Sequence, residues 1–256
     1  MRCLPTGLLL VVAVALTGCG GSPTPSAPTT SAPSEIVTVR IAPPAGDAGV
    51  VGAATPLSAT VLVNGVPLAD PSQSIVWSSS NTAVARVDER GVLTGVAMGQ
   101  TIVTATVGNT TGTLALEVVP ALAGTATIVW QARDCTQFNA YCVGGVPRAQ
   151  SAAVTITQVG SGVEGTWGLL HWMTGSPPFS GRIHADGSME LSGSRCSLDD
   201  IGRGTLFALT DFRMQRRADG IYEGSVRHVQ EGNCVGTGSY RSVTDYVVAM
   251  WPPAMK

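Results

Sequence analysis

Turn residues cut this chain into short pieces, and that punctuation limits the fold more than any other feature. Between Ile36 and Val119, seven β-rich runs fit into 84 residues: IVTVRI, LSATVLVN, SIVWSSS, AVARVD, GVLTGV, TIVTATVG and TLALEVV. Glycine, asparagine, aspartate or serine separates them, and no run keeps a long helical period. Asn64-Gly65 lies between TVLV and VPL as a hairpin signal, because both residues tolerate positive φ. Short strands at this spacing predict an all-β fold, a β-sandwich over residues 36–119. The 31 glycines of the 256-residue chain point the same way.

Within this region, VWSSSNTAVARVDERGVLTGVAMGQTIVTAT has the look of a chemical site, with three serines and a charged cluster. Ordinary strand physics explains it without a ligand. Trp77 is large enough to fill the space between two sheets. Ser78, Ser79, Ser80 and Asn81 are suited to bond neighbouring backbone where a strand turns away. Ala83, Ala85 and Val87 share one parity, and Val103, Ala105 and Val107 line one face of a later strand. Gly91 closes the turn after Glu89-Arg90. The order of these features resembles the bacterial Ig-like domain of group 2. That resemblance implies an Ig-like β-sandwich over residues 36–119 with a surface or envelope role, as a spacer or a carbohydrate- or matrix-binding unit.

Residues 120–256 open with Pro120 and ALAG as a junction. About eight further β-rich runs follow, from TATIVWQA to GTGSYRSVTDYVVAM. Tight turns join them at Val159-Gly160-Ser161-Gly162, Ala185-Asp186-Gly187 and Ala218-Asp219-Gly220. Consecutive hairpins predict an antiparallel β-meander or a small up-and-down barrel.

Four cysteines lie in this part, and an even count in an exported domain implies disulfides. Four cysteines allow three connectivities. Cys135-Cys142 and Cys196-Cys234 are the favoured pairs, the first closing the loop CTQFNAYC. Metal ligation wants closer or histidine-rich spacing, so no metal or other cofactor is expected.

The first 19 residues, MRCLPTGLLLVVAVALTGC, hold nine consecutive apolar residues from Leu8 to Leu16. A span needs about 20, so 1–18 read as a signal peptide. Leu16-Thr17-Gly18-Cys19 resembles the lipobox of bacterial lipoproteins. The resemblance implies cleavage before Cys19, lipidation of its sulfur and a membrane anchor. Gly20, rather than aspartate, implies sorting to the outer membrane. Residues 19–35 are rich in Pro, Ser and Thr and serve as a tether, extended at about 3.1 Å per residue.

Charge excludes one class of partner. Residues 36–119 carry 3 basic and 5 acidic side chains, and 120–256 carry 11 of each. A nucleic-acid surface needs a concentrated positive face, so no nucleic-acid partner is expected. The histidines His171, His184 and His228 form no ligand or catalytic motif. His184 shares parity with Arg182 and faces solvent. His171, Trp172, Arg213 and His228 are the candidate ligand-facing residues. A catalytic arrangement would need His171, His228 and a carboxylate such as Asp211 to converge. Arg213, Arg216 and Arg217 form a modest basic cluster at a hairpin end.

The reading is therefore an envelope-anchored lipoprotein that binds or adheres, not an enzyme. Its partners are the membrane, through its lipid, and an unknown protein or glycan. A small-ligand carrier is the alternative, and it requires a barrel interior with a cavity of several hundred Å³. An uncharacterised extracytoplasmic hydrolase comes third.

Overall fold

The structure is a computed structural model describing residues 35–68, 75–133, 142–143, 146–166, 177–198, 204–232, 234 and 241–253. Residues 35–256 form one compact unit. Cys19, Cys135, His171 and Trp172, expected from the sequence to be lipidated, disulfide-bonded or ligand-facing, lie outside the described residues, as do the signal peptide and the tether up to residue 34.

The N-terminal part holds strands β1 (Val37–Ala42), β2 (Ala48–Val50), β3 (Ala54–Pro56), β4 (Ser58–Val63), β5 (Val66–Pro67), β6 (Val76–Ser79), β7 (Ala85–Val87), β8 (Val92–Gly95), β9 (Gly99–Val107) and β10 (Thr110–Val119). They form three sheets, ordered β1-β4-β5, β2-β10-β9-β6 and β3-β8-β7. All seven expected runs are strands. The three additional ones, β2, β3 and β5, span two or three residues each, too short to show an alternating pattern. Asn64 and Gly65 both have positive φ, at 52° and 82°, in the turn between β4 and β5.

Trp77 touches both cores of this part, one around Leu93, Val103 and Val118 and one around Val39, Val61 and Ala105. A Cβ on Gly91 would lie 2.9 Å from the indole, so the turn after β7 has to be glycine for the ring to fit. The serine run closes the corner of β6. Thr101 Oγ1, buried, lies 2.9 Å from Ser79 Oγ and accepts from the Asn81 N–H at 3.1 Å. Ser80 Oγ accepts from the Ile102 N–H at 2.9 Å. These serines are occupied with backbone and neighbouring hydroxyls.

The C-terminal part is a closed antiparallel barrel. Its strands are β11 (Gly124–Ala132), then, after the two-residue strands β12 (Cys142–Val143) and β13 (Val146–Pro147), β14 (Gln150–Val159), β15 (Gly162–Thr166), β16 (Pro178–Ile183), β17 (Ser188–Leu198), β18 (Gly204–Arg216), β19 (Tyr222–Glu231) and β20 (Arg241–Trp251). Closure comes from β11, which pairs with β14 on one side and with β20 on the other. The three expected hairpin turns join β14 to β15, β16 to β17 and β18 to β19.

Alternation along each strand decides which side chains enter the barrel. Ile128 and Trp130, Val154 and Ile156, Ile183, Met189, Phe212, Tyr222, Val226 and Val248 are all buried in one cluster. An eight-stranded barrel is just wide enough for side chains to fill it, and here the described interior is so filled. The outer face carries charge instead. Arg213 pairs with Glu190 at 3.6 Å across β17 and β18, and Arg227 pairs with Asp245 at 2.9 Å across β19 and β20. Apolar inside and charged outside is the reverse of a lipid-embedded barrel.

The barrel and the Ig-like part share packing. Ala48 and Val119 belong to the barrel's cluster, together with Leu122 of the connection. The Gln158 side chain fastens that connection. Its Oε1 accepts from the Leu122 N–H at 2.7 Å, and its Nε2 donates to the carbonyls of Pro120 and Gly160 at 2.9 and 3.0 Å. Beside it, the 3-10 turn Ala45–Asp47 packs on the β14–β15 hairpin, and Arg182 approaches Asp47 at 3.7 Å.

Candidate functional site

A broad concavity lies on the outside of the barrel, across β14 to β18. It is a groove of about 890 Å³. Its rim consists of outward residues of neighbouring strands: Thr155, Thr157, Ser180, Ser192, Ser194 and Thr210. All six are exposed. Glu164 adds one carboxylate, facing Ser180 across the β15–β16 ladder.

Small inward residues lower the floor of this open groove. Gly165 and Gly193 lie on its floor, where a Cβ on Gly193 would sit 1.9 Å from the Pro178 carbonyl oxygen. That close approach draws β16 and β17 together. Pro178, Phe179, Ala208 and Leu209 supply apolar surface between the hydroxyls. Such a lining offers donors and acceptors with little fixed charge, above an apolar floor. It has the chemistry to bind a neutral polar chain.

The sequence-nominated residues lie elsewhere. His228 shares parity with Tyr222 and Val226 and points into the barrel, stacked on Phe207 at 6.1 Å between ring centroids. Burial pushes its pKa down to about 4, so it is neutral at ordinary pH. Asp211 sits at a bulge with φ 49° and points outward, where it meets Arg227 at 3.3 Å. His228 and Asp211 therefore occupy opposite faces of the wall and do not converge. Arg213 is exposed and turned toward Glu190, and Arg217 is paired with Asp219 at 2.8 Å and with Glu223. Two of the cluster's three arginines, Arg213 and Arg217, are thus paired with neighbouring carboxylates.

Cys196 and Cys234 are joined by a disulfide. Cys196 sits opposite Leu206 of β18, which in turn faces Glu231 of β19, so the bridge passes over β18 and ties β17 to the segment after β19. Among the described residues, no group of three or more His, Cys, Asp or Glu side chains is placed to hold a metal ion.

Sequence reasoning did not find the groove. Its signal was the run of small hydroxyl residues at outward parity, TITQ, FSG and LSGS, each of which reads equally well as solvated strand.

Residues 38–118 match the family model of the bacterial Ig-like domain (group 2), in agreement with the features around Trp77. One relative, Ice-binding protein 1 of Shewanella frigidimarina, is 42% identical over 53 residues. The match covers 21% of this chain and 6% of that protein. A solved structure from Bacteroides ovatus, of unknown function, aligns over 84% of this chain and 94% of its own, at 10% identity and a TM-score of 0.24. That score is too low to carry an argument. The Ig-like part is thus a bacterial Ig-like module of group 2, and the barrel stands on its own geometry.

Proposed function

We propose that this protein is a binding module of the bacterial cell envelope. Cys19 anchors it by lipid, the Pro/Ser/Thr-rich tether and Ig-like module hold it away from the membrane, and the barrel presents its outer groove to a glycan. The observation that carries this reading is the pairing of a filled barrel interior with a hydroxyl-rimmed outer groove. A carrier needs a chamber, and buried side chains take up the described interior. The groove has room for several sugar rings, with hydroxyls for their hydroxyls and the Pro178 and Phe179 surfaces for their apolar faces. Glu164 orients the chain by accepting from it. The group 2 module fits a surface location.

Binding to an array of envelope polysaccharide fragments tests the groove. Wild type should retain a defined glycan, and Ser180→Arg and Ser194→Arg, which fill the groove from exposed positions, should abolish retention. Equal retention by both variants, or no glycan retained by wild type, would sink the groove reading. Labelling with radioactive palmitate tests the anchor separately. A Cys19→Ala protein that labels as well as wild type would remove it.

A further inference from the structure

We infer that the junction between the Ig-like module and the barrel holds a binding site for a small monocarboxylate. The site is a chamber of about 130 Å³, separate from the groove. Its walls are apolar: Met98 from the Ig-like module, Pro120 and Leu122 from the connection, and Pro252 and Pro253 behind β20. Two polar side chains line it, Arg216 and Tyr222.

The two lie beside each other, and neither meets a carboxylate or other anionic acceptor among the described residues. The Tyr222 side chain is fully buried, yet its hydroxyl has no hydrogen-bond partner among the described residues. Burial pushes its pKa up to about 12, partly offset by the positive charge of Arg216 and by that guanidinium's approach to the phenol oxygen as a donor. Arg216 can only donate, so the Tyr222 O–H still lacks an acceptor, and a buried donor left so carries a desolvation cost that an acceptor in the chamber would offset. Arg216 is the one member of the arginine cluster that meets no carboxylate among the described residues, since Glu190, Asp219 and Glu223 serve its neighbours. Its backbone N–H donates to Gly187, and Gly187 and Gly220 lie against its side chain, so the turns on either side hold it in place.

The chamber therefore offers a fixed cation and a hydroxyl donor, and no anionic acceptor. Two of the connection's polar groups, the Pro120 carbonyl and the Leu122 N–H, are already bonded to Gln158. A carboxylate fits this set, taking charge-assisted bonds from the guanidinium and one bond from Tyr222. Its short aliphatic tail then lies against the prolines and Met98. At about 30 Å³ per water, the chamber holds the equivalent of about four waters, which suits an acid of about four to six non-hydrogen atoms. Because both modules contribute walls, occupancy fastens one to the other.

Titration of the full chain with butyrate, followed by calorimetry and by the Met98 methyl signal, tests the site. Butyramide, of the same shape without the charge, is the comparison. Butyrate should bind saturably in about the millimolar range, with butyramide inert. Arg216→Gln should weaken butyrate at least about tenfold, and Tyr222→Phe, which keeps the ring, about fivefold. The inference is overturned if butyrate and butyramide perturb Met98 alike, if Arg216→Gln binds butyrate as wild type does, or if wild type does not saturate. The last result would mean that water alone fills the chamber.

Discussion

The carbonyl of Gly46 accepts two hydrogen bonds from Ser161, one from its backbone N–H at 2.9 Å and one from its hydroxyl at 3.0 Å. Ser161 is 4% exposed, so both bonds are made out of water. The residues come from different modules, and glycine on each side makes the contact possible. A Cβ on Gly46 would lie 1.9 Å from the Val159 carbonyl oxygen, and one on Gly160 would lie 2.5 Å from the Gly46 carbonyl oxygen.

Gly46→Ala should therefore open the junction. The position has φ 73°, a left-handed conformation that a side chain opposes, and the added methyl has no room. A loss of about 2–4 kcal/mol is expected, read by guanidinium denaturation. Ser161→Ala keeps the N–H bond and should cost only about 1 kcal/mol. Equal losses for the two would show that the close approach of backbones is unimportant.

Gln158 gives a second measure of the same junction. Gln158→Leu fits the space but strands the Leu122 N–H and the Pro120 carbonyl, for a cost of about 2–3 kcal/mol. Faster hydrogen exchange at the Leu122 amide is the specific readout. An unchanged exchange rate there would contradict the fastening role.

These contacts mark the boundary of what sequence could reveal. Alternation and turn chemistry are local, so the seven runs before Val119 and the eight after it could be read directly. Trp77 and its serines announced their module for the same reason. The Gly46–Ser161 pair joins positions far apart in sequence, and nothing near Gly46 in PPAGDAG distinguishes a docking turn from any other. His228 sits beside exposed Arg227 in a strand of ordinary pattern, and its place inside an apolar barrel follows only from closure. The groove was hidden because hydroxyl residues at outward parity look alike whether the wall beneath them is convex or hollow.

Acid should weaken the fold through His228. Its folded pKa is about 4, below the ordinary 6.5, because burial disfavours the charged ring. As pH falls through about 6.5 the unfolded chain takes up a proton that the folded one refuses, so stability declines until about pH 4 and then levels off for this group. Up to about 3 kcal/mol is at stake. His228→Phe should flatten the fall between pH 7 and pH 4.5 in denaturation curves. An equally steep fall in that variant would assign the effect to other groups.

Reduction should loosen the barrel. Cys196 and Cys234 are 38 residues apart, and the loop-entropy relation gives about 3–4 kcal/mol for a crosslink of that span. Cys196→Ser with Cys234→Ser should lower the melting temperature, and dithiothreitol should lower that of wild type but leave the double variant unmoved at this bridge. A double variant that melts with oxidised wild type would deny the bridge any stabilising part.

The pairing of β11 with β20 dictates an order of events during synthesis. A chain emerging from its N-terminus has every strand of the Ig-like module in hand once Val119 is out. The barrel's first strand, by contrast, keeps one exposed edge until its last strand arrives, because the partner of Thr127 is Trp251. Throughout that interval β11 is a free template for other chains. The compartment where this protein matures must shield that edge for as long as the remaining strands take to appear.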